Sequence, residues 1–263
     1  MSTPLNEICL LFAALVCLVG SAALGVFNAR RRALSCPVPS IARACWRIAD
    51  QGLMLLAGLC VVIALFFSVS RRHTWPFEAG TEVILASAAA AILWRLLCRR
   101  WGGLASSHFI FHAIVAGLLV WGMARWPSTR QVQTASQPWL FVSHLALALA
   151  CGAFIEAGTT SLARLLTQRQ VKVEAGGDAE RYPILLGLAL LTASMLLQAF
   201  SGFYTRGVYW SWTIAESWQL IVWLFYFALW SAFIQLGWPL RRSQGLAALG
   251  LLLTLWMLRA LGA

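Results

Sequence analysis

The sequence predicts an all-α polytopic membrane protein with about eight transmembrane helices. Hydrophobic residues fill 60% of its 263 positions, and charged residues fill only 11%. Soluble domains carry roughly 25% charged residues, whereas the apolar runs here reach the ~20 residues that a helix needs to cross a bilayer. The polar connections between the runs are too short for a soluble domain. Residues 1–263 are therefore predicted to form a single integral membrane domain.

Each predicted span is an apolar run that ends at polar or basic residues. The eight predicted spans are residues 8–27, 52–70, 81–98, 104–124, 139–166, 183–203, 215–238 and 246–261. The formal net charge of +11 is explained by arginines at the ends of these spans, because basic residues between spans determine topology. No nucleic-acid-binding motif accompanies them, and we expect no nucleic-acid partner.

The distribution of lysine and arginine predicts the orientation in the membrane. Most of them lie in the connections after spans one, three, five and seven, a set that comprises Arg30, Arg31, Arg32, Arg43, Arg47, Arg95, Arg99, Arg100, Arg164, Arg169, Lys172, Arg181, Arg241 and Arg242. The side richer in lysine and arginine is normally cytoplasmic. Both termini are then predicted to lie outside. For a bacterial protein, this means a multi-pass protein of the inner (cytoplasmic) membrane.

A tryptophan-rich segment separates the sixth and seventh spans. Trp210, Trp212 and Trp218 lie in or beside a short polar interruption, which predicts an outward-facing loop at about 204–218. Tryptophans at a membrane surface often form an interfacial belt, and that interpretation stays open. Belts usually place one or two aromatic residues at each helix end, so this cluster also fits a shelf for a flat hydrophobic ligand.

Ionisable residues inside membranes are rare and often functional. His144 is predicted about 8 Å below the outer surface, at about 1.5 Å per residue, on the same side as the tryptophan loop. Neutral imidazole is a common axial ligand of heme iron. His73 also faces outward, as a second axial ligand or as a solvated residue. His108 and His112 share one helix face, where hydrogen bonding between helices is the favoured role and a second heme or a quinone is the alternative.

Two charged residues lie close to the tryptophans in the sequence, Arg206 and Glu216. Glu216 opens the seventh span, where a carboxylate suits the positive end of the helix dipole, and this capping role alone explains it. Arg206 either pairs with carboxylates such as heme propionates, which arginine binds in a bidentate manner, or extends to the interface as an ordinary flanking residue.

The segment GVYWSWTIAESWQL, residues 207–220, resembles the tryptophan-rich WWD motif of the CcsA/HemX-like cytochrome c assembly family. That motif reads approximately WGxYWxWDPKExWxL and precedes a span rich in Trp and Tyr. His144 is similar to the family's outer-face histidine that opens the span two before the motif. The matching motif positions are Gly207, Tyr209, Trp210, Trp212, Glu216, Trp218 and Leu220, continued by Trp223 and Tyr226.

The motif is degenerate at four positions. Thr213 replaces Asp, Ile214 replaces Pro, Ala215 replaces Lys, and Arg206 replaces Trp. No histidine follows His144, so the family's second outer ligand and its later transmembrane ligand are absent from their expected places.

The resemblance implies a membrane component of cytochrome c maturation. It would present b-type heme, held transiently or weakly, at the outer face of the membrane for attachment to apocytochrome c, as part of a synthase complex. The resemblance implies His144 as the iron ligand, with no catalytic side chain of its own. The implied partners are membrane lipids and apocytochrome c or another assembly subunit, and the implied heme contacts are His144, His73, Arg206, Tyr209, Trp210, Trp212, Glu216 and Trp218.

Two other functions remain open from the sequence. The missing ligands favour a non-catalytic membrane anchor or scaffold subunit that has lost heme ligation. A quinone site or a small transporter is the third alternative, although the chain shows no convincing internal repeat, which many transporters have.

Overall fold

A computed structural model describes residues 4–33, 40–72, 80–100, 108–125, 138–167, 181–235 and 240–261. These residues form eight α-helices, which confirms the predicted all-α class. The helices are α1 (Pro4–Ala33), α2 (Ser40–Arg72), α3 (Gly80–Arg100), α4 (His108–Arg125), α5 (Pro138–Thr167), α6 (Arg181–Arg206), α7 (Ile214–Gln235) and α8 (Leu240–Leu261).

The helices have the length and composition of a multi-pass membrane protein. Within the described ranges, six helices are long and apolar enough to span a bilayer, namely α1, α2, α3, α5, α6 and α8. The apolar part of α4, Phe109–Arg125, is shorter. The remaining helix, α7, has 22 residues, which corresponds to about 33 Å at 1.5 Å per residue.

Helix α5 lies at the centre of the bundle. It packs against α6, α3 and α8, and its Phe154 ring stacks on Tyr226 of α7 at 3.7 Å between centroids. Glycine permits the closest of these contacts. A Cβ on Gly152 would lie 2.7 Å from the backbone of Ala90 in α3, so only glycine fits there. Small residues commonly permit such close approach between membrane helices.

Four contacts between helix termini define one end of the bundle. Trp139, near the start of α5, meets Phe200 near the end of α6 at 6.2 Å between ring centroids. Trp218, near the start of α7, meets Trp256 near the end of α8 at 6.1 Å. Ser68 near the end of α2 donates to Glu82 near the start of α3. The ends of α4 and α8 also share a cleft. We call it the Trp-loop end, because the tryptophan-rich loop between α6 and α7 lies there.

One arginine assigned to a connection is instead buried inside a helix. Arg95 is 1% exposed in α3, and its Nη1 donates to Oε1 of Glu156 in α5 at 2.8 Å. The Arg95 guanidinium also lies 5.2 Å from the centre of the Phe111 ring. Arg95 therefore gives no information on orientation, because its charge is held by a partner within the bundle.

His112 joins three helices through hydrogen bonds. Its Nε2 lies 2.8 Å from Oγ of Ser21 in α1, and the same hydroxyl donates to Asp50 in α2. All three side chains are buried. This is the interhelical hydrogen bonding favoured for His112 from the sequence. The side chain of His108 lies outside the described residues.

Candidate functional site

The Trp loop, residues 207–213, begins where α6 ends at a glycine. Gly207 has a positive φ of 71°, and its N–H donates to the Phe203 carbonyl at 2.9 Å. Glycine tolerates this left-handed conformation, which commonly ends helices. A Cβ on Gly202 would lie 2.9 Å from the Val208 carbonyl oxygen. The small residue at 202 thus lets the loop fold back over the last turn of α6.

The loop ends in a capping box at the start of α7. The Glu216 N–H donates to Thr213 Oγ1 at 3.2 Å, and the Thr213 N–H donates to Glu216 Oε2 at 3.2 Å. This reciprocal pair satisfies backbone groups that the first turn of a helix leaves without partners. Glu216 has the capping role predicted from its position, and Thr213 performs the N-cap role, for which Asp is at least as well suited.

Ser211 connects the capping box to Arg206. Its hydroxyl lies within hydrogen-bond distance of both Glu216 carboxylate oxygens, at 2.9 and 3.0 Å, and its backbone N–H donates to Oε2 at 3.0 Å. Arg206 Nη1 donates to Ser211 Oγ at 2.9 Å. Arg206 Nη2 lies 3.6 Å from Glu216 Oε1, and the Arg206 side chain is 50% exposed. An ion pair this open to solvent adds little stability. The exposed half of the Arg206 side chain remains accessible to a ligand.

The loop presents flat aromatic side chains on its surface. Trp212 is 70% exposed and has a φ of 54°, a left-handed conformation that residues other than glycine adopt rarely. Trp210 packs edge-on against it at 6.2 Å between ring centroids. Tyr209 is 61% exposed and stacks on Phe203 at 4.5 Å. These contacts fix the rings while leaving much of their surface uncovered.

Trp210 also carries a buried polar atom. Its Nε1 is inaccessible to solvent and finds no hydrogen-bond partner in the part of the chain that the structure describes. A buried indole N–H usually has a partner, so this group is one of the unusual features of the loop.

Trp218 contacts a ring of another helix, whereas Trp210 and Trp212 contact each other. Its ring meets Trp256 of α8 rather than Trp210 or Trp212. One turn and a half further along α7, Trp223 Nε1 donates to Thr192 of α6 at 2.8 Å. The motif tryptophans thus fasten α7 to α6 and α8 as well as forming the loop surface.

His144 lies in α5 at the Trp-loop end of the bundle. It follows Trp139 by five residues, and Trp139 contacts the end of α6. His144 precedes Phe154 by ten residues, and Glu216 precedes Tyr226 by ten. Because Phe154 and Tyr226 stack and both helices start at this end, His144 and Glu216 lie at a similar depth, about 15 Å from that stack along their helices. The His144 side chain is half-buried.

The structure describes seven of the eight predicted site residues. His73 lies outside the described residues. Sequence reasoning missed Ser211 and Thr213, which hold the Glu216 carboxylate, and Trp256, which contacts Trp218. The pattern Thr213-x-x-Glu216 is a capping-box signature and was available in the sequence, whereas no local pattern indicated Trp256.

These features define a polytopic helical membrane protein with a hydrogen-bonded tryptophan loop at one end. No protein-family model matches the chain. It is similar to the cytochrome c biogenesis protein CcsA of Microcystis aeruginosa, with 37% identity over 91 residues, which are 35% of this chain and 28% of that protein. Similarity to CcsA of Nostoc is 38% identity over 91 residues, 35% of this chain and 26% of the relative.

A solved structure shares the arrangement of helices. The cytochrome c heme lyase CcmF superposes with a TM-score of 0.69 at 19% identity, over 98% of this chain and 47% of CcmF. The resemblance to CcsA proteins that the motif predicts is confirmed by these matches. The matched segment covers less than a third of the length of these curated CcsA relatives, and the chain spans about half of CcmF.

Proposed function

We propose that this protein acts in cytochrome c maturation by holding heme at its Trp-loop end, at the outer face of the bacterial inner membrane, for attachment to apocytochrome c. The observation that carries the proposal is the loop itself. The Arg206–Ser211–Glu216 hydrogen bonds fix a loop whose Tyr209 and Trp212 rings stay exposed, at the end of the bundle where α5 carries a histidine.

The residues present fit a porphyrin with one protein ligand. His144 would bind the iron, and Tyr209, Trp210, Trp212 and Trp218 would supply flat apolar contacts. The exposed half of Arg206 would pair with a propionate, and Glu216 would act by keeping the loop in place. His73, which lies outside the described residues, is the proposed second ligand in an alternative with two histidines. With His144 alone, a single imidazole and an exposed apolar surface suit a weakly held b-type heme that must be passed on.

The chain's own contribution to the reaction would be positioning. Bound heme supplies the vinyl groups that become thioethers. The aromatic rings would orient the heme plane, and the half-buried imidazole would keep one face of it away from water. Apocytochrome c would supply the thiols, and another assembly subunit would complete the complex.

A second candidate function is a membrane anchor or scaffold subunit without heme. One observation favours it: the polar groups of Arg206, Ser211, Thr213 and Glu216 already satisfy one another. A loop of this kind is stable without a ligand. It could therefore serve as a docking surface in a protein that no longer binds heme.

Deletion of the gene from its own host tests the proposal. We expect covalently attached heme c, measured by heme staining of membrane proteins on denaturing gels, to fall strongly and to recover with the wild-type gene. His144→Ala should fail to restore it. His112→Gln is the matched control, because His112 Nε2 lies in the Ser21–Asp50 hydrogen-bond network and the Gln amide can take the place of Nε2 beside Ser21. Full recovery with His144→Ala would instead select the scaffold function.

A further inference from the structure

One residue of the Trp loop has a strained backbone conformation. Trp212 has a φ of 54°, in a region that residues with bulky side chains adopt rarely. Within the part of the chain that the structure describes, it is the one residue other than glycine with a positive φ. Such conformations cost free energy and persist where the surrounding structure imposes them. The loop therefore stores strain at Trp212.

The Glu216 carboxylate imposes this conformation. Its Oε2 accepts the backbone N–H of Ser211 at 3.0 Å and the backbone N–H of Thr213 at 3.2 Å. N–H groups that converge on one anionic oxygen curl the backbone between them, as in anion-binding nests. Trp212 is the residue between them. The two hydrogen bonds hold the chain on both sides of Trp212 and offset the cost of its conformation.

The neighbouring indole carries a polar group that the loop does not satisfy. Trp210 Nε1 is buried and has no hydrogen-bond partner among the described residues. An unpaired buried donor costs free energy, so this conformation of the loop is unfavourable at Trp210 as well as at Trp212. The two rings pack edge-on at 6.2 Å between centroids. A movement of Trp212 would therefore change what covers the Trp210 N–H.

We propose that Trp210 Nε1 donates a hydrogen bond to a carboxylate of bound heme, and that Trp212 uncovers this N–H by leaving its left-handed conformation. This rests on the proposed function, because heme is taken as the ligand. Heme carries two propionates. Arg206 pairs with one of them, and the Trp210 N–H is the donor for the other. Binding then relieves the strain at both tryptophans, which adds to the affinity for heme.

Glycine and alanine at position 212 separate the strain from the ring. Both W212G and W212A lack the indole, but only alanine is strained at a positive φ. We expect W212G to melt about 2–4 °C above W212A in detergent. V208G and V208A are the matched control pair, because Val208 lies in the same loop without a positive φ. There the glycine variant should melt lower, since glycine loses more conformational entropy on folding. A Tm of W212G equal to or below that of W212A would overturn the proposal.

Titration of the purified variants with heme, followed by Soret absorbance, tests the movement of Trp212. If binding releases residue 212 from the left-handed conformation, W212A gains the relief of strain and W212G does not. We expect W212A to bind heme about fivefold more tightly than W212G. Equal affinities would overturn the proposal and leave the proposed function intact. A wild type that takes up no heme would overturn both.

Heme dimethyl ester, in which both propionates are uncharged, tests the Trp210 N–H. W210F removes the donor and should weaken the binding of heme about tenfold more than the binding of the ester, because hydrogen bonds to charged groups are the stronger ones. W218F is the matched control, since Trp218 contacts Trp256 of α8, and it should weaken both ligands alike. An equal loss of both ligands in W210F would assign Trp210 a packing role only and would overturn the proposal.

Discussion

Thr213 and Glu216 exchange hydrogen bonds at the start of α7, each accepting through its side chain from the other's backbone N–H at 3.2 Å. This relationship closes the loop at the start of α7, although the segment departs from the WWD pattern at residue 213. The motif resembled by this segment has Asp where Thr213 stands, and both residues are strong N-caps. Glu216, the third helical position, is retained.

Removal of the cap should loosen the loop. Thr213→Ala deletes the acceptor for the Glu216 N–H, and we expect a loss of about 1 kcal/mol. Thr213→Asp should match or slightly exceed the wild type in stability, since Asp caps at least as well as Thr. Thermal unfolding in detergent measures both. Thr205→Ala is the control, because among the described residues the Thr205 hydroxyl donates only to carbonyls of its own helix. A loss of stability in Thr205→Ala equal to that in Thr213→Ala would contradict a special role of Thr213.

The buried pair Arg95–Glu156 should be more sensitive to loss of one partner than of both. Arg95→Met leaves the Glu156 carboxylate buried without its guanidinium, which typically costs 3–5 kcal/mol, an order-of-magnitude range. The double variant Arg95→Met/Glu156→Leu leaves no unpaired charge and should recover much of the loss. The order of Tm values should be wild type, double variant, single variant. A double variant less stable than Arg95→Met would contradict this.

Gly152 should tolerate no larger residue. A Cβ at this position would lie 2.7 Å from the backbone of Ala90 and Ala91, so Gly152→Ala must push α5 away from α3 at a cost of about 1–3 kcal/mol. Gly117→Ala is the matched control, because a Cβ there meets nothing within 4 Å. The control should match or exceed the wild type in Tm, since Ala favours helix over Gly. Similar Tm values for the two variants would show that α3 and α5 are not closely packed.

The helices could be predicted from the sequence because each apolar run is long and ends at charged residues. The contacts between the helices could not be predicted from the sequence. Membrane helices are apolar on most of their surface, so periodicity does not indicate which side faces a neighbour. Arg95 illustrates this: its position in the sequence predicts a connection between spans, whereas in the fold it is paired with Glu156, 61 residues away.

The loop could be predicted in part. The tryptophans and the approximate position of the loop followed from composition, and the Thr213–Glu216 pair follows a known local pattern. The contact of Trp218 with Trp256 joins residues 38 positions apart in sequence and could not be read from either helix alone. The depth shared by His144 and Glu216 depends on the stack of Phe154 on Tyr226, which is also a product of the fold.

The absorption spectrum of the purified protein, recorded with only the heme that co-purifies with it, tests the central claim most directly. We expect the wild type to show a Soret band that His144→Gly loses and that added imidazole restores to His144→Gly, because the free ligand can take the place of the missing ring. A wild-type protein without a Soret band, or a band that His144→Gly leaves unchanged, would contradict a heme site at the Trp-loop end.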